Sequence, residues 1–314
     1  MDSTQPTALV AGGSRGLGLL IARELLERGH QVAICARNEE ELERARQLLT
    51  PHGTVRAYSC DVRDHEAVER VVASVTRDLG PIEVLITVAG IIQVGPAEVM
   101  TVGDYRDAVD TMTMGPVHLA LAVLPGMRDR RRGRIGTVAS VGGLVSPPHL
   151  LPYATAKFGA VGFSDGLAAS LAGTGVTATT IAPGLMRTGS PERARFSGRA
   201  EREYAWFAPA ASLPLLSMDA DRAARIMVDA TLAGKPIALV GWLPALAHRV
   251  RGLAPGLTTR LLGVMNRVLP GPGKDPEHLV MGRDAETRLS RTGSKVVGWL
   301  SQIGTAAAKR NNER

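Results

Sequence analysis

The sequence predicts an α/β fold, a doubly wound parallel sheet of about seven strands with helices on both faces. Three observations carry it. Short apolar runs alternate with longer amphipathic ones across residues 7–240. A glycine-rich turn, Gly12-Gly-Ser-Arg-Gly-Leu-Gly18, joins the first run to the first amphipathic segment. The 314 residues are 45% hydrophobic but only 4% aromatic, so a large core is available and is built from Ala, Val, Leu and Ile.

The elements follow in order. Thr7–Ala11 reads as the first strand and Leu17–Arg28 as the helix after the glycine turn. Gln31–Ala36 and Val55–Ser59 read as strands, each followed by a charged amphipathic helix, Glu39–Leu49 and His65–Leu79. Glu83–Thr87 leads into one long helix, Val102–Leu124, and Arg134–Ala139 into a helix at Leu151–Ala172. Val176–Ile181 and Pro236–Val240 complete the set, separated by an irregular insert and the helix Ala220–Leu232. Strands that alternate with helices of ten or more residues form right-handed βαβ units, which is a Rossmann-type architecture. Residues 1–240 are therefore read as one domain, with 189–214 as a loop over its cleft. Residues 241–314 break the pattern and are read as an extension packed on that domain, ending in a frayed AAAKRNNER.

Net charge is +7 with a pI near 9.9. That favours anionic ligands, but no RNA-binding aromatic motif, zinc-finger spacing or heptad zipper accompanies it, so no nucleic-acid partner is expected. Cys35 and Cys60 have neither disulfide-framework nor metal spacing, and no metal is expected. The opening MDSTQPTALV lacks the basic region and apolar core of a leader, so the cytoplasm is the expected location. The run Gly126–Arg134, with five arginines and one acid, reads as a solvated turn. Between Trp242 and Pro270 there are four arginines and no acid, and Leu257, Leu261, Val264, Met265 and Val268 share one helical face. Such a helix can lie weakly on an anionic membrane surface, pack at a subunit interface, or cover a cleft.

Two stretches carry chemistry. Gly12, Gly16 and Gly18 stand where a pyrophosphate would need close backbone approach and free N–H groups at a helix N-terminus. The second strand ends Cys35-Ala36-Arg37 with no acid to accept from a ribose 2′-OH. Arg37 and Arg15 instead suit a 2′-phosphate, which points to NADP(H). Tyr153 and Lys157 lie one turn apart on a helix face, where an ammonium would favour the phenolate.

These residues together resemble the short-chain dehydrogenase/reductase superfamily over residues 7–240. The motif residues are GGSRGLG at 12–18, Asp61-Val62, Ala89-Gly90, Ser140, Tyr153 with Lys157, Pro183-Gly184 and Thr188. The resemblance implies that Tyr153 is the general acid/base and Ser140 the group that polarises the carbonyl. Lys157 would lower the tyrosine pKa and hold the nicotinamide ribose. Gly12, Ser14, Arg15, Gly16, Leu17 and Gly18 would form the phosphate loop, with Asp61 and Val62 at the adenine and Ala89 and Gly90 under its ribose. Pro183, Gly184 and Thr188 would flank the nicotinamide. A small carbonyl or alcohol substrate and a homodimer or homotetramer are implied as well.

The chain departs from the family pattern twice. Thr87-Val88 stands where two asparagines are common, a change that reads as structural. Met112 stands where many members carry the asparagine of a proton relay. Its main-chain carbonyl could serve instead from a kinked helix. The alternative is a slow or inactive NADP(H)-binding regulatory protein. Phe196, Tyr204, Trp206 and Phe207 concentrate in the 189–214 loop, either as a lid for a hydrophobic substrate or as packing for the loop itself.

Overall fold

The chain, as a computed structural model, is described over residues 5–212, 217–291 and 311–313. Strands β1 (Thr7–Ala11), β2 (Gln31–Ala36), β3 (Val55–Ser59) and β4 (Ile82–Thr87) alternate with helices α1 (Gly16–Glu27), α2 (Glu39–Leu49) and α3 (His65–Leu79). Then come β5 (Gln93–Val94), α4 (Val102–Val109), α5 (Gly115–Asp129), β6 (Gly133–Val138), α6 (Leu151–Ser170) and β7 (Val176–Pro183). The insert holds β8 (Leu185–Arg187), α7 (Ser190–Arg193), β9 (Arg195–Gly198), α8 (Ala200–Ser212) and β10 (Ser217–Asp219). It leads to α9 (Ala220–Leu232) and β11 (Ile237–Val240). The extension comprises α10 (Trp242–Leu253), α11 (Pro255–Asn266), β12 (Glu277–Met281) and α12 (Gly282–Arg291).

The seven-stranded sheet has the order β11-β7-β6-β4-β1-β2-β3, and every pairing in it is parallel. Alternate residues of each strand face opposite layers, and both layers are dry. Ala8, Val10, Val32 and Ile34 pack under α1, α2 and α9, while Leu9, Ala11, Ala33 and Leu85 pack under α3 and α5. Local signals set the helix ends. The Asn38 and Asp64 side chains accept from the amides of Glu41 and Ala67 and so cap α2 and α3.

The predicted helix Val102–Leu124 is interrupted. A π-helical turn, Asp110–Met114, separates α4 from α5. Its cause is Pro116, which has no N–H to give to the carbonyl of Met112 four residues back. Thr113 in this turn donates to the Ala156 carbonyl of α6 at 2.8 Å. Gly159 permits the approach, since a Cβ there would stand 2.7 Å from Thr113 Oγ1.

The aromatics of the insert pack inward. Phe196, Tyr204 and Phe207 are buried, with ring centroids 5.6–5.8 Å apart in edge-on pairs about Phe196. They form a satellite core with Ala285 and Val280 of the extension, bound by the small sheet β12-β9-β5. Beside it lies a buried hydrogen-bonded pair, His149 Nδ1 to Glu203 Oε2 at 2.9 Å, with Trp206 Nε1 donating to the same oxygen at 2.8 Å. This ties α8 to the loop just before α6. No helix among the described residues is long and apolar enough to cross a membrane.

Candidate active site

The first strand ends in the middle of the sheet, and the chain leaves β1 and β4 in opposite directions. Their C-terminal loops therefore part and leave a crevice, the usual ligand position in such sheets. A cavity of about 300 Å³ fills it. Its walls include Gly12, Ser14, Arg15, Gly16, Leu17 and Gly18 from the first loop, Arg37 from the second, and Asp61 and Val62 from the third. Ala89, Gly90, Ser140, Tyr153, Lys157, Pro183 and Gly184 complete it.

The glycines earn their places by contact. Gly12 has φ +86°, and a Cβ there would stand 2.5 Å from the Ala89 amide nitrogen. At Gly18 a Cβ would sit 2.0 Å from the Gly12 carbonyl oxygen. The loop can then turn tightly and present the N-terminus of α1, whose first turn holds no acidic residue, to an anion. That acceptor-binding capacity is in use. The Gly16 amide donates to the Asn311 carbonyl at 2.8 Å, and the Gly189 amide donates to a carboxylate oxygen of Glu313 at 2.5 Å. Asn312 donates to the carbonyls of Ser14 and Glu41. Asn311–Glu313, from the end read as frayed, thus lie buried in this cleft. Burial raises the Glu313 carboxyl to about 7. Glycine cradle, helix-terminal amides and an acceptor already seated on one of them together fit a dinucleotide's pyrophosphate.

Tyr153 and Lys157 sit one turn apart at the start of α6, as their spacing requires. Ser140 lies on the loop after β6 and lines the same cleft as Tyr153, while its Oγ accepts from the Gly142 amide at 3.0 Å. Gly142 and Gly143 let that loop press against α6, since a Cβ on either would stand 2.9 Å or less from Tyr153 or Lys157 atoms. Lys157 is buried, donates from Nζ to the Val138 carbonyl at 2.8 Å, and lies 5.8 Å from the centre of the Tyr153 ring.

Burial lowers the Lys157 ammonium to about 8, and burial raises the Tyr153 phenol against the opposing pull of Ser140. Burial is the larger influence on the Tyr153 phenol, and Ser140 rather than Lys157 supplies the opposing pull.

Arg15, Asp61 and Thr188 are engaged in ways that the sequence reading did not foresee, whereas Arg37 lies where it was expected. Arg15 does not present an unengaged guanidinium, since its NH1 lies 2.6 Å from Glu41, which Arg193 also approaches at 3.2 Å. Arg37 stands exposed on the cleft wall. Asp61 is gripped by Arg63, whose hydrogen bonds hold its carboxyl below the usual range. Thr188 is buried beside the wall and shares a hydrogen bond with Ser190 at 2.6 Å; Met186 and Ser190 face the cavity instead.

The sequence reading missed Thr111, which lines the cleft with a buried hydroxyl that has no partner among the described residues. Met112 beside it packs inward against Ala108, Ala156 and Tyr153. A second cavity, about 480 Å³, adjoins the segment between Ser140 and Tyr153. Pro147, His149 and Leu151 form one wall, and Thr258, Leu262 and Asn266 of α11 the other. Among the described residues no group of three or more His, Cys, Asp or Glu is placed to hold a metal ion.

Comparison with known proteins agrees with this geometry. Residues 6–196 match the family model for short chain dehydrogenase. A putative ketoacyl reductase of Streptomyces coelicolor is 38% identical over 184 residues, 58% of this chain and 70% of that protein. The acetoacetyl-CoA reductase of Paracoccus denitrificans is 35% identical over 181 residues, 58% of this chain and 74% of that protein. Among solved structures, an actinorhodin polyketide ketoreductase variant with NADPH superposes with a TM-score of 0.66 at 30% identity, covering 75% of this chain and 95% of that one. A short-chain dehydrogenase from Streptomyces avermitilis gives 0.71 at 27% identity, covering 85% and 99%. With its sheet order, glycine loop and Ser-Tyr-Lys cluster in place, the chain belongs to the short-chain dehydrogenase/reductase family and is an oxidoreductase.

Proposed function

We propose that the protein is an NADP(H)-dependent oxidoreductase that interconverts a carbonyl and an alcohol on a hydrophobic substrate. The observation that carries this reading is the convergence of Ser140, Tyr153 and Lys157 on the wall of the glycine-loop cleft. When bound, the nicotinamide supplies or accepts the hydride. As negative charge builds on the substrate oxygen, the Ser140 and Tyr153 hydroxyls donate to it from fixed positions. Tyr153, with its phenol held protonated, passes its proton to that oxygen in reduction and takes it back in oxidation. Lys157 stands buried one turn away to resupply the proton.

Met112 fits this reading through its main chain. Pro116 cannot give the regular helical hydrogen bond to the Met112 carbonyl, which supports a relay role for this oxygen despite the apolar side chain. The 480 Å³ cavity beside the Ser140–Tyr153 segment is mostly apolar in its lining and suits the chain of a ketoacyl-type substrate. The names of the relatives, ketoacyl and acetoacetyl-CoA reductases, support the same class.

Purified protein given NADPH and a panel of aldehydes, ketones, quinones and ketoacyl thioesters tests the activity by cofactor absorbance. Tyr153→Phe should lower kcat by about 10²–10⁴-fold without loss of fold; equal rates for variant and wild type would leave only a nucleotide-binding role. Arg37→Asp should weaken NADPH binding at least about tenfold more than NADH binding. Equal losses would remove the case for a 2′-phosphate contact.

A further inference from the structure

We infer that α10 and α11 form a docking face for an anionic lipid surface. One set of apolar side chains on these two helices points out of the molecule. Leu246 and Leu253 on α10, and Leu257, Leu261 and Val264 on α11 with Val268 just beyond, are all exposed, Leu253 to 88% and Val268 to 82%. On α11 they recur at i, i+4, i+7 and i+11, which makes one continuous stripe. The opposite side of the same helix carries Thr258, Leu262 and Asn266 into the 480 Å³ cavity. On α10 the reverse side is anchored as well, for Arg251 donates to the Leu144 carbonyl at 3.0 Å and stacks on Phe158. The orientation of the stripe is thus fixed by contacts beneath it. Monomeric soluble proteins rarely leave so contiguous an apolar surface uncovered.

Charge identifies the occupant. Residues 242–270 contain no acidic side chain, and Arg249, Arg260 and Arg267 lie within or beside the stripe. A second copy of this chain is a poor cover. A two-fold interface would set the patch against itself and gather two sets of arginines at one seam with no acid from 242–270 to pair them. A bilayer rich in acidic headgroups meets both requirements. It takes the apolar stripe at the acyl boundary and pairs the arginines with phosphates. Docked this way, α11 would lie between the lipid and the cavity beside Ser140 and Tyr153, so an apolar substrate could enter from the membrane side.

The full chain should co-sediment with vesicles of phosphatidylglycerol and phosphatidylcholine and much less with pure phosphatidylcholine. Neutralising two arginines, Arg260→Gln with Arg267→Gln, should weaken binding about twenty-five-fold, roughly fivefold for each charge. Leu257→Gln with Leu261→Gln should abolish binding while leaving nucleotide affinity and circular dichroism unchanged, since both side chains are solvent-exposed. Light scattering on the same samples reads the competing cover. No binding to anionic vesicles, equal binding to neutral and anionic ones, or a dimer that falls apart in the leucine variant would each overturn the inference.

Discussion

At the residue scale, the cluster of Ser140, Tyr153 and Lys157 was legible because helical spacing and a strand end place all three. Their protonation was not legible, since it depends on burial that only the folded cleft supplies. The Lys157 shift makes a prediction with a definite sign. Its folded value of about 8 lies below the ordinary 10.5, so the unfolded chain binds the proton more tightly between those values. Stability should therefore rise with pH across that window, by about 3 kcal/mol relative to Lys157→Met. The raised Tyr153 phenol works in the opposite direction above its usual value of 10, which is why the comparison needs the lysine variant as reference. Denaturant unfolding of both proteins from pH 7 to 10.5 checks it; parallel curves would mean that Lys157 keeps its charge in the folded state.

Elements were read nearly to the residue where apolar runs are long, and poorly where tertiary contact decides. The two to five residues of β5, β8, β9, β10 and β12 carry no usable period; β8 and β10 pair within the insert, and β9 of the insert joins β5 to β12 of the extension. The π-helical turn was hidden inside an unbroken amphipathic pattern, although Pro116 could have disclosed it. Partners far apart in sequence were equally hidden, among them Arg15 with Glu41 and Gly189 with Glu313. Two predictions belong here. His149→Ala leaves the buried Glu203 side chain with one hydrogen-bond partner fewer and should cost about 1–3 kcal/mol, seen as a lower Tm. Deleting residues 311–314 should tighten NADPH binding about tenfold, because the tail holds the Gly16 amide that a pyrophosphate would use. The raised Glu313 carboxyl means that tail docking is fully present below about 4.5 and lost as pH rises through about 7. Fluorescence titration of both forms should accordingly show the gap closing toward alkaline pH.

On the scale of the whole molecule, the alternation across residues 7–240 was sufficient for the sheet and its crevice, since parallel strands with helical crossovers admit few topologies. What alternation could not supply was the surface. The net charge of +7 is a bulk property, whereas the acid-free stretch 242–270 becomes a face only once α10 and α11 are anchored by their reverse sides. The strand order has a consequence for how the protein is made. β1 leaves the ribosome first and ends in the interior of the sheet; β2 and β3 then add on one flank, and β4, β6, β7 and β11 add in turn on the other. Each new strand joins an open edge, and none has to wedge between two that are already paired. The sheet can therefore grow in step with translation, at the roughly 5–20 residues per second of synthesis, and the edge waiting at each stage is the one that the next segment of chain will cover.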